Sequence, residues 1–446
     1  MQKNRQDRKT KREHKLRENN PEYAAELATF SYPQAWQPEM KEYYGNSHDL
    51  FSRRALRCVH TGVEKLRKLQ EQGALTEKVF FEQLDEIAAE RRSTAEETKS
   101  TDAKLFGVAR SKRNIETHTK LVGVRYDETG KVIRDRMANL IEKHLLGTND
   151  GFANIIMGDS RYEVVILSGT DPVVVNAFND PHNFTTRALH SAMKEFSLWK
   201  SIHNIRISGY IVGQTYLTID GKEYPLTTHY SHYYSFKPDN TIGPEEIQYI
   251  REHSIVLLEH TDPTIADVLL KSAAKVWLKA LQWDEKKDDL QQLKAYVGEI
   301  IWKLGQATRW ARGSAAIAEI ERKIVYVFQY FVLKRLKANI VLDLEILKNP
   351  FMSLFIAQYV QGRFWDDDQD PTASRKKTEL PLASVLTKEV KEPEPEQKIL
   401  KNPYAPLYST DAKTTTQMPV VPDKNTTEVL PSSRESVPNP SIIKLP

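Results

Sequence analysis

The chain has 446 residues, 40% hydrophobic and 28% charged, a length and balance that suit a soluble globular protein of two or three domains with a sizeable core. Its 64 basic and 60 acidic side chains leave a net charge of only +4, which disfavours a polycationic nucleic-acid binder. The single cysteine, Cys58, excludes an intrachain disulfide framework and a cysteine-rich zinc or iron–sulfur site.

In chain order, residues 1–20 carry eight Lys and Arg, diluted by Asp7, Glu13 and Glu18, with almost nothing to bury; a basic disordered arm is predicted. The N-terminus also lacks the apolar stretch of a secretory signal peptide, and no run reaches the ~18 apolar residues of a membrane span. A reducing, cytoplasmic compartment is therefore expected. Residues 21–150 form an N-terminal helical region. Leu50, Leu56, Val59, Val63, Leu66 and Leu69 follow helical spacing, and Gly73 marks a stop. Thr76 is a candidate cap for a second helix with Phe80, Leu84 and Ile87 on one face, so the two should pack antiparallel. Residues 93–104 read as a polar connector and 109–120, "ARSKRNIETHTK", as a basic solvated loop; 132–147 is an amphipathic helix closed by Gly147.

Residues 151–243 change character to a small α+β region. "RYEVVILSG", "PVVVNAF" and "IRISGYIVGQTYLTIDGKEYPLTTHYSHYYSF" have strand composition, and Asp220-Gly221 suits the tight turn of a hairpin. Residues 183–202 are predicted to be a helix packed on this sheet. From 244 to 365 helical periodicity returns as a bundle. Pro244, Glu245 and Glu246 open a helix expected to run through His260, and Asp262 with Pro263 opens the next. The run 317–347 is apolar on more than one face and is expected to be one central helix. Residues 366–446 contain 12 of the 22 prolines and no apolar periodicity, predicting a disordered tail. The fold class is α+β, predominantly α-helical: a small mixed or antiparallel sheet between helical regions, a C-terminal helical bundle and the tail.

Candidate chemistry concentrates in two places. In "ATRWARGSAAIAEIERK" (307–323), Gly313 permits a sharp turn, Ser314 can cap and the alanines favour a helix. Trp310 would plug the junction and Arg312 would pair with a carboxylate or a helix C-terminus. The functional alternative gathers Arg312, Ser314 and Glu319 at a helix N-terminus as an anion site. Glu319-x-Glu321 with an upstream Arg has the residue types of mono-ADP-ribosyltransferases, but positions i and i+2 of a helix point apart, so that reading is rejected.

The second place is a run of histidines, seven of the twelve lying between 182 and 260. His182, His190, His229 and His232 are the candidates for a metal or acid–base site, although residues three apart on a strand face opposite sides. His253 and His260 are expected to share a helix face. There is no His-Glu-x-x-His, phosphate-binding glycine loop, nucleophile elbow or kinase loop, and no cofactor is indicated. Cys58, beside Val59 on an amphipathic helix, reads as a packed thiol.

The segment from Trp310 to Glu319, "WARGSAAIAE", resembles one met in secreted effectors of intracellular bacteria. The helical body with a small sheet and a polar, Pro-rich tail resembles type IV-secreted effectors of Legionella-like bacteria. The resemblance implies a bacterial protein translocated into a eukaryotic cell without a cleaved signal peptide, and it carries no catalytic residues. The expected function is an interaction protein that binds a host protein through its helical body. The alternatives are an enzyme with a site between sheet and bundle, and a nucleic-acid-associated protein using the basic arm.

Overall fold

A computed structural model of the protein describes residues 21–30, 38–100, 103–111, 121–125, 128–168, 209–233, 235, 237–254, 256–332, 336–337 and 340–365. The basic arm, the "PVVVNAF" strand, the 183–202 helix, the tail, and His182, His190 and His203 lie outside the described residues.

Helix α1 (Pro21–Ala28) precedes a helical hairpin of α2 (Pro38–Glu71) and α3 (Glu77–Glu97). Gly73, at φ 64°, makes the turn between them. Ion pairs give the direction: Arg54 meets Glu97, Arg57 meets Glu90 at 2.8 Å, and Lys65 meets Glu86 at 2.6 Å. Numbers rise on α2 as they fall on α3, so the pair is antiparallel. Thr76 stands at the N-cap of α3, but its side chain makes no capping bond.

The middle of the chain supplies β1 (Leu121–Arg125), α4 (Glu128–His144), β2 (Gly151–Met157), β3 (Ser160–Ser168), β4 (Gly209–Ile219), β5 (Lys222–Tyr233), α5 (Pro244–His253) and β6 (Val256–Glu259). The strands form one antiparallel sheet in the order β1-β6-β5-β4-β3-β2. Asp220 and Gly221 both have positive φ, 51° and 75°, as the tight β4–β5 turn requires. The chain then builds α6 (Pro263–Leu281), α7 (Leu290–Ala307), α8 (Ser314–Phe328), α9 (Leu342–Lys348) and α10 (Met352–Val360). Pro263 follows an Asp262 cap whose carboxylate accepts from the Thr264 N–H at 2.8 Å.

Two hydrophobic cores result. One lies in the bundle and joins Val59 and Val63 of α2, Phe80 of α3, Trp277 of α6, Trp302 of α7 and Ile324 of α8. The other lies under the sheet, where Met137 and Ile141 of α4 and Ile250 of α5 meet Tyr162, Val164 and Ile211. The N-terminal helical region is therefore shared: α2 and α3 complete the bundle, whereas α4 covers the sheet.

Two expected helices are shorter than their apolar patterns. The helix beginning near Ile317 ends at Phe328, because Tyr330 turns left-handed at φ 64° and the Gln329 amide donates to the Ala280 and Leu281 carbonyls. The helix from Pro244 ends at His253; the apolar residues after it pair as β6 with β1 and β5, so His253 and His260 do not share a helix.

Gly107 has φ 62°, and a Cβ there would overlap the Ala88 carbonyl. Gly107→Ala is expected to cost at least about 1–3 kcal/mol. Gly73→Ala, also at positive φ but facing open space, should cost about 1 kcal/mol. Thermal unfolding of the two variants checks the order.

Candidate functional site

The "WARG" junction is a stitched crossing. α7 ends at Ala307, its C-cap Thr308 is left-handed at φ 37°, and residues 106–110 run beside the link to α8. The Ala311 N–H donates to the Val108 carbonyl at 2.8 Å, Arg110 N–H to Arg309 at 2.9 Å, and Gly107 N–H to Arg312 at 3.1 Å. Arg110, expected in a solvated loop, is instead 3% exposed. Its guanidinium donates to the Thr308 carbonyl at 2.7 Å and to Ala307 at 3.0 Å, satisfying carbonyls that the end of α7 leaves open, and also to the Thr261 carbonyl ahead of α6. Burial lowers its pKa to about 10, so it stays charged at neutral pH.

Trp310 is buried in this crossing and Gly313, at φ 88°, is the N-cap of α8. Ser314 is the first helical residue and does not cap; its hydroxyl donates back to the Trp310 carbonyl at 3.0 Å and accepts from the Trp310 N–H at 3.2 Å. Arg312 is exposed, and its backbone takes part in the crossing. Glu319 lies more than a turn further on, held by Arg322 and Lys323, so Arg312, Ser314 and Glu319 are not gathered at one point.

The next turn of α8 contains the largest concentration of buried charge. The Glu319 carboxylate accepts from Arg322 at 2.6 and 2.9 Å and lies 3.2 Å from the Lys323 ammonium. Burial pushes this carboxyl up, but Arg322 and Lys323 together outweigh it and hold it below the usual carboxylate value. Lys323, fully buried, donates to the Thr29 carbonyl at 2.9 Å and its hydroxyl at 3.0 Å, and lies over the Phe30 ring. Burial lowers its pKa to about 7. Glu321 points elsewhere, as the i, i+2 offset requires, and accepts from the Gln83 amide at 2.6 Å and the Trp277 indole at 2.7 Å. With two neutral donors and no cation, burial raises its carboxyl to about 7.

Of the candidate histidines, His229 and His232 lie in β5, opposite Gly213 and Tyr210 of β4. His229 is 1% exposed, and its Nδ1 shares a 3.1 Å hydrogen bond with the Tyr162 hydroxyl, which occupies the space a side chain at Gly213 would need. Burial, helped by the nearby Arg136 charge, lowers His229 to about 3, so the ring is neutral. Its Nε2, like Thr215 Oγ1, Ser231 Oγ and Arg136 Nη1, has no hydrogen-bond partner. Cys58 is a packed thiol pushed up to about 12 by burial and Glu90. Among the described residues, no group of three or more His, Cys, Asp or Glu is placed to hold a metal ion, and no helix is long and apolar enough to cross a membrane.

The surface holds a feature that the sequence reading passed over. β2, "GFANIIM", is the last strand of the sheet, and among the described residues no strand pairs with its outer side. Phe152 is 65% and Ile156 67% exposed; Ile155 and Met157 are also open. Leu146 and Leu354 are exposed as well. The strand contains no charged residue, the usual guard of an open edge. Its signal in the sequence was a short apolar run, without charge, ended by Gly158-Asp159, a two-residue hairpin turn.

No family model matches this chain, and no curated protein matches it.

Two pH-dependent differences are expected. Glu321 is raised from 4.5 to about 7, so its contribution is present below pH 4.5 and lost as pH rises through 7, by about 3 kcal/mol. Glu321→Gln does not titrate and should gain on the wild type over that range. His229 is depressed from 6.5 to about 3, so its contribution holds above pH 6.5 and is lost on acidification, by up to about 5 kcal/mol. His229→Leu should gain on the wild type as pH falls. Denaturant melts at a series of pH values read both; parallel curves for variant and wild type would refute the assignment.

Proposed function

We propose that this chain is an interaction protein whose partner supplies an extended segment to the open edge of β2. One observation carries the reading: an uncharged edge strand, with no strand on its outer side among the described residues, that bears the two most exposed large hydrophobic residues of the described surface, Phe152 and Ile156. Monomeric globular proteins rarely leave such an edge open, and strand addition is a standard way to use one. The binding surface thereby moves from the helical body to the sheet edge. The bundle's helical hairpin presents ion pairs such as Arg57–Glu90 and Lys65–Glu86 to solvent.

The wider reading, a bacterial effector acting on a host protein after translocation, is supported by the resemblance of Trp310–Glu319 and of the tail. The enzymatic reading draws support from the unpartnered polar atoms around His229, but these are buried beneath the sheet. The basic arm, and with it the nucleic-acid reading, lies outside the described residues.

The test uses a photo-cross-linking phenylalanine analogue placed at position 152 in one protein and at 330, on the bundle, in another. Tyr330 is also exposed, at 41%. In eukaryotic lysate the analogue at 152 should cross-link to an extended segment of an identified protein, a second copy of this chain included, at several times the yield of 330. Equal yields, or none at 152, would reject the reading.

A further inference from the structure

We infer that the strand received by β2 is β2 of a second copy of this chain, giving a two-fold symmetric dimer with one continuous sheet. The inference rests on the reading of β2 as a docking edge and names its occupant.

The argument starts at the hairpin. β2 and β3 are joined by two residues, Gly158 and Asp159, with Met157 opposite Ser160. In such hairpins the pair flanking the turn exchanges both backbone hydrogen bonds, and these close pairs alternate along the ladder. Met157, Ile155, Ala153 and Gly151 therefore spend their N–H and C=O groups on β3. Phe152, Asn154 and Ile156 direct theirs to the open edge. These three also share one face, by strand alternation, with Val165, Glu163 and Arg161 opposite them on β3.

This edge is complementary to itself. Antiparallel pairing about a two-fold axis at Asn154 sets Asn154 against Asn154 of the second copy. It sets Phe152 against Ile156 in both directions. The open backbone groups of all three residues are then satisfied together, in about six hydrogen bonds. The two most exposed apolar side chains of the strand cover each other, and the asparagine amides meet across the axis. On the other face Ala153 falls opposite Ile155. Charge permits the register: β2 has none, and the flanking Asp150 and Asp159 fall opposite Gly158 and Asn149 instead of each other. An unrelated strand would match these positions only by coincidence, whereas a second copy matches by symmetry.

Sedimentation of the full chain tests it. The wild type should approach twice its 51.3 kDa mass at micromolar concentration. Ile156→Lys places a charge in the pair with Phe152, and Asn154→Pro removes an N–H that faces outward while sparing the bonds to β3. Each should raise the dimer dissociation constant at least tenfold with the melting temperature nearly unchanged. Register is read by oxidation in a Cys58→Ser background. Asn154→Cys alone should give a disulfide dimer, because its Cα atoms would stand about 5.5 Å apart. Phe152→Cys should do so only when mixed with Ile156→Cys.

A monomer throughout the concentration range, or a dimer that survives both edge variants, overturns the inference. In either case, cross-linking from position 152 to another protein leaves the docking edge standing, and its absence removes both. Binding of the monomer to phosphatidylcholine vesicles, lost in Ile156→Lys, would assign the edge to a lipid surface and also overturn the inference.

Discussion

The bundle is organised around charge that it cannot expose. Glu321, Arg322 and Lys323 are each at most 2% exposed, and Glu319 is partly covered beside them. A buried charge is costly unless paired and hydrogen-bonded, so neighbouring elements must deliver partners to a single turn of α8. Glu319 pairs with both basic residues from within the helix, at i+3 and i+4. The turn after α1 brings the Thr29 oxygens and the Phe30 ring to Lys323, α3 brings Gln83 and α6 brings Trp277 to Glu321. The packing of four helices is thus tied to the rotation of one.

The same economy governs the crossing at residues 308–313. A helix that ends inside a protein leaves carbonyls without partners, and Arg110 reaches two of them, Ala307 and Thr308, from a segment nearly 200 positions earlier, and the Thr261 carbonyl ahead of α6 as well. The backbone of 107–110 then holds 309–312 as a short ladder. Trp310, Gly313 and Ser314 serve this geometry: the indole fills it, the glycine turns it and the hydroxyl ties it back to Trp310. Beneath the sheet a comparable exchange occurs, where Gly213 gives up its side chain so that the Tyr162 hydroxyl can reach His229.

At the surface, β2 stands apart. Elsewhere the outer face of the sheet carries ion pairs, with Arg161 bridging Glu163 and Glu223. β2 has no such charge and no neighbour on its outer side among the described residues. The self-pairing through Asn154 that we propose would cover this edge, because its register matches the exposed Phe152 and Ile156 by symmetry.

What could be read along the chain was local. The stop at Gly73, the Asp220-Gly221 turn, the Asp262-Pro263 start and the opposed directions of Glu319 and Glu321 follow from conformational preferences and helix geometry within a few residues. The mixed helical and antiparallel architecture followed from hydrophobic spacing for the same reason. Tertiary structure decided the rest. Apolar residues after His253 suit a helix or a strand equally, and β1 and β5 supplied the hydrogen-bond partners that chose a strand, whereas after Phe328 the left-handed Tyr330 ended the helix in a turn. Nothing near Arg110 in sequence reveals the carbonyls of Ala307 and Thr308 that bury it. Ser314 has the chemistry of a cap, but the preceding glycine took that position. The charges of α8 look like a solvated face until α1, α3 and α6 close over them, because burial depends on contacts between residues far apart in the chain.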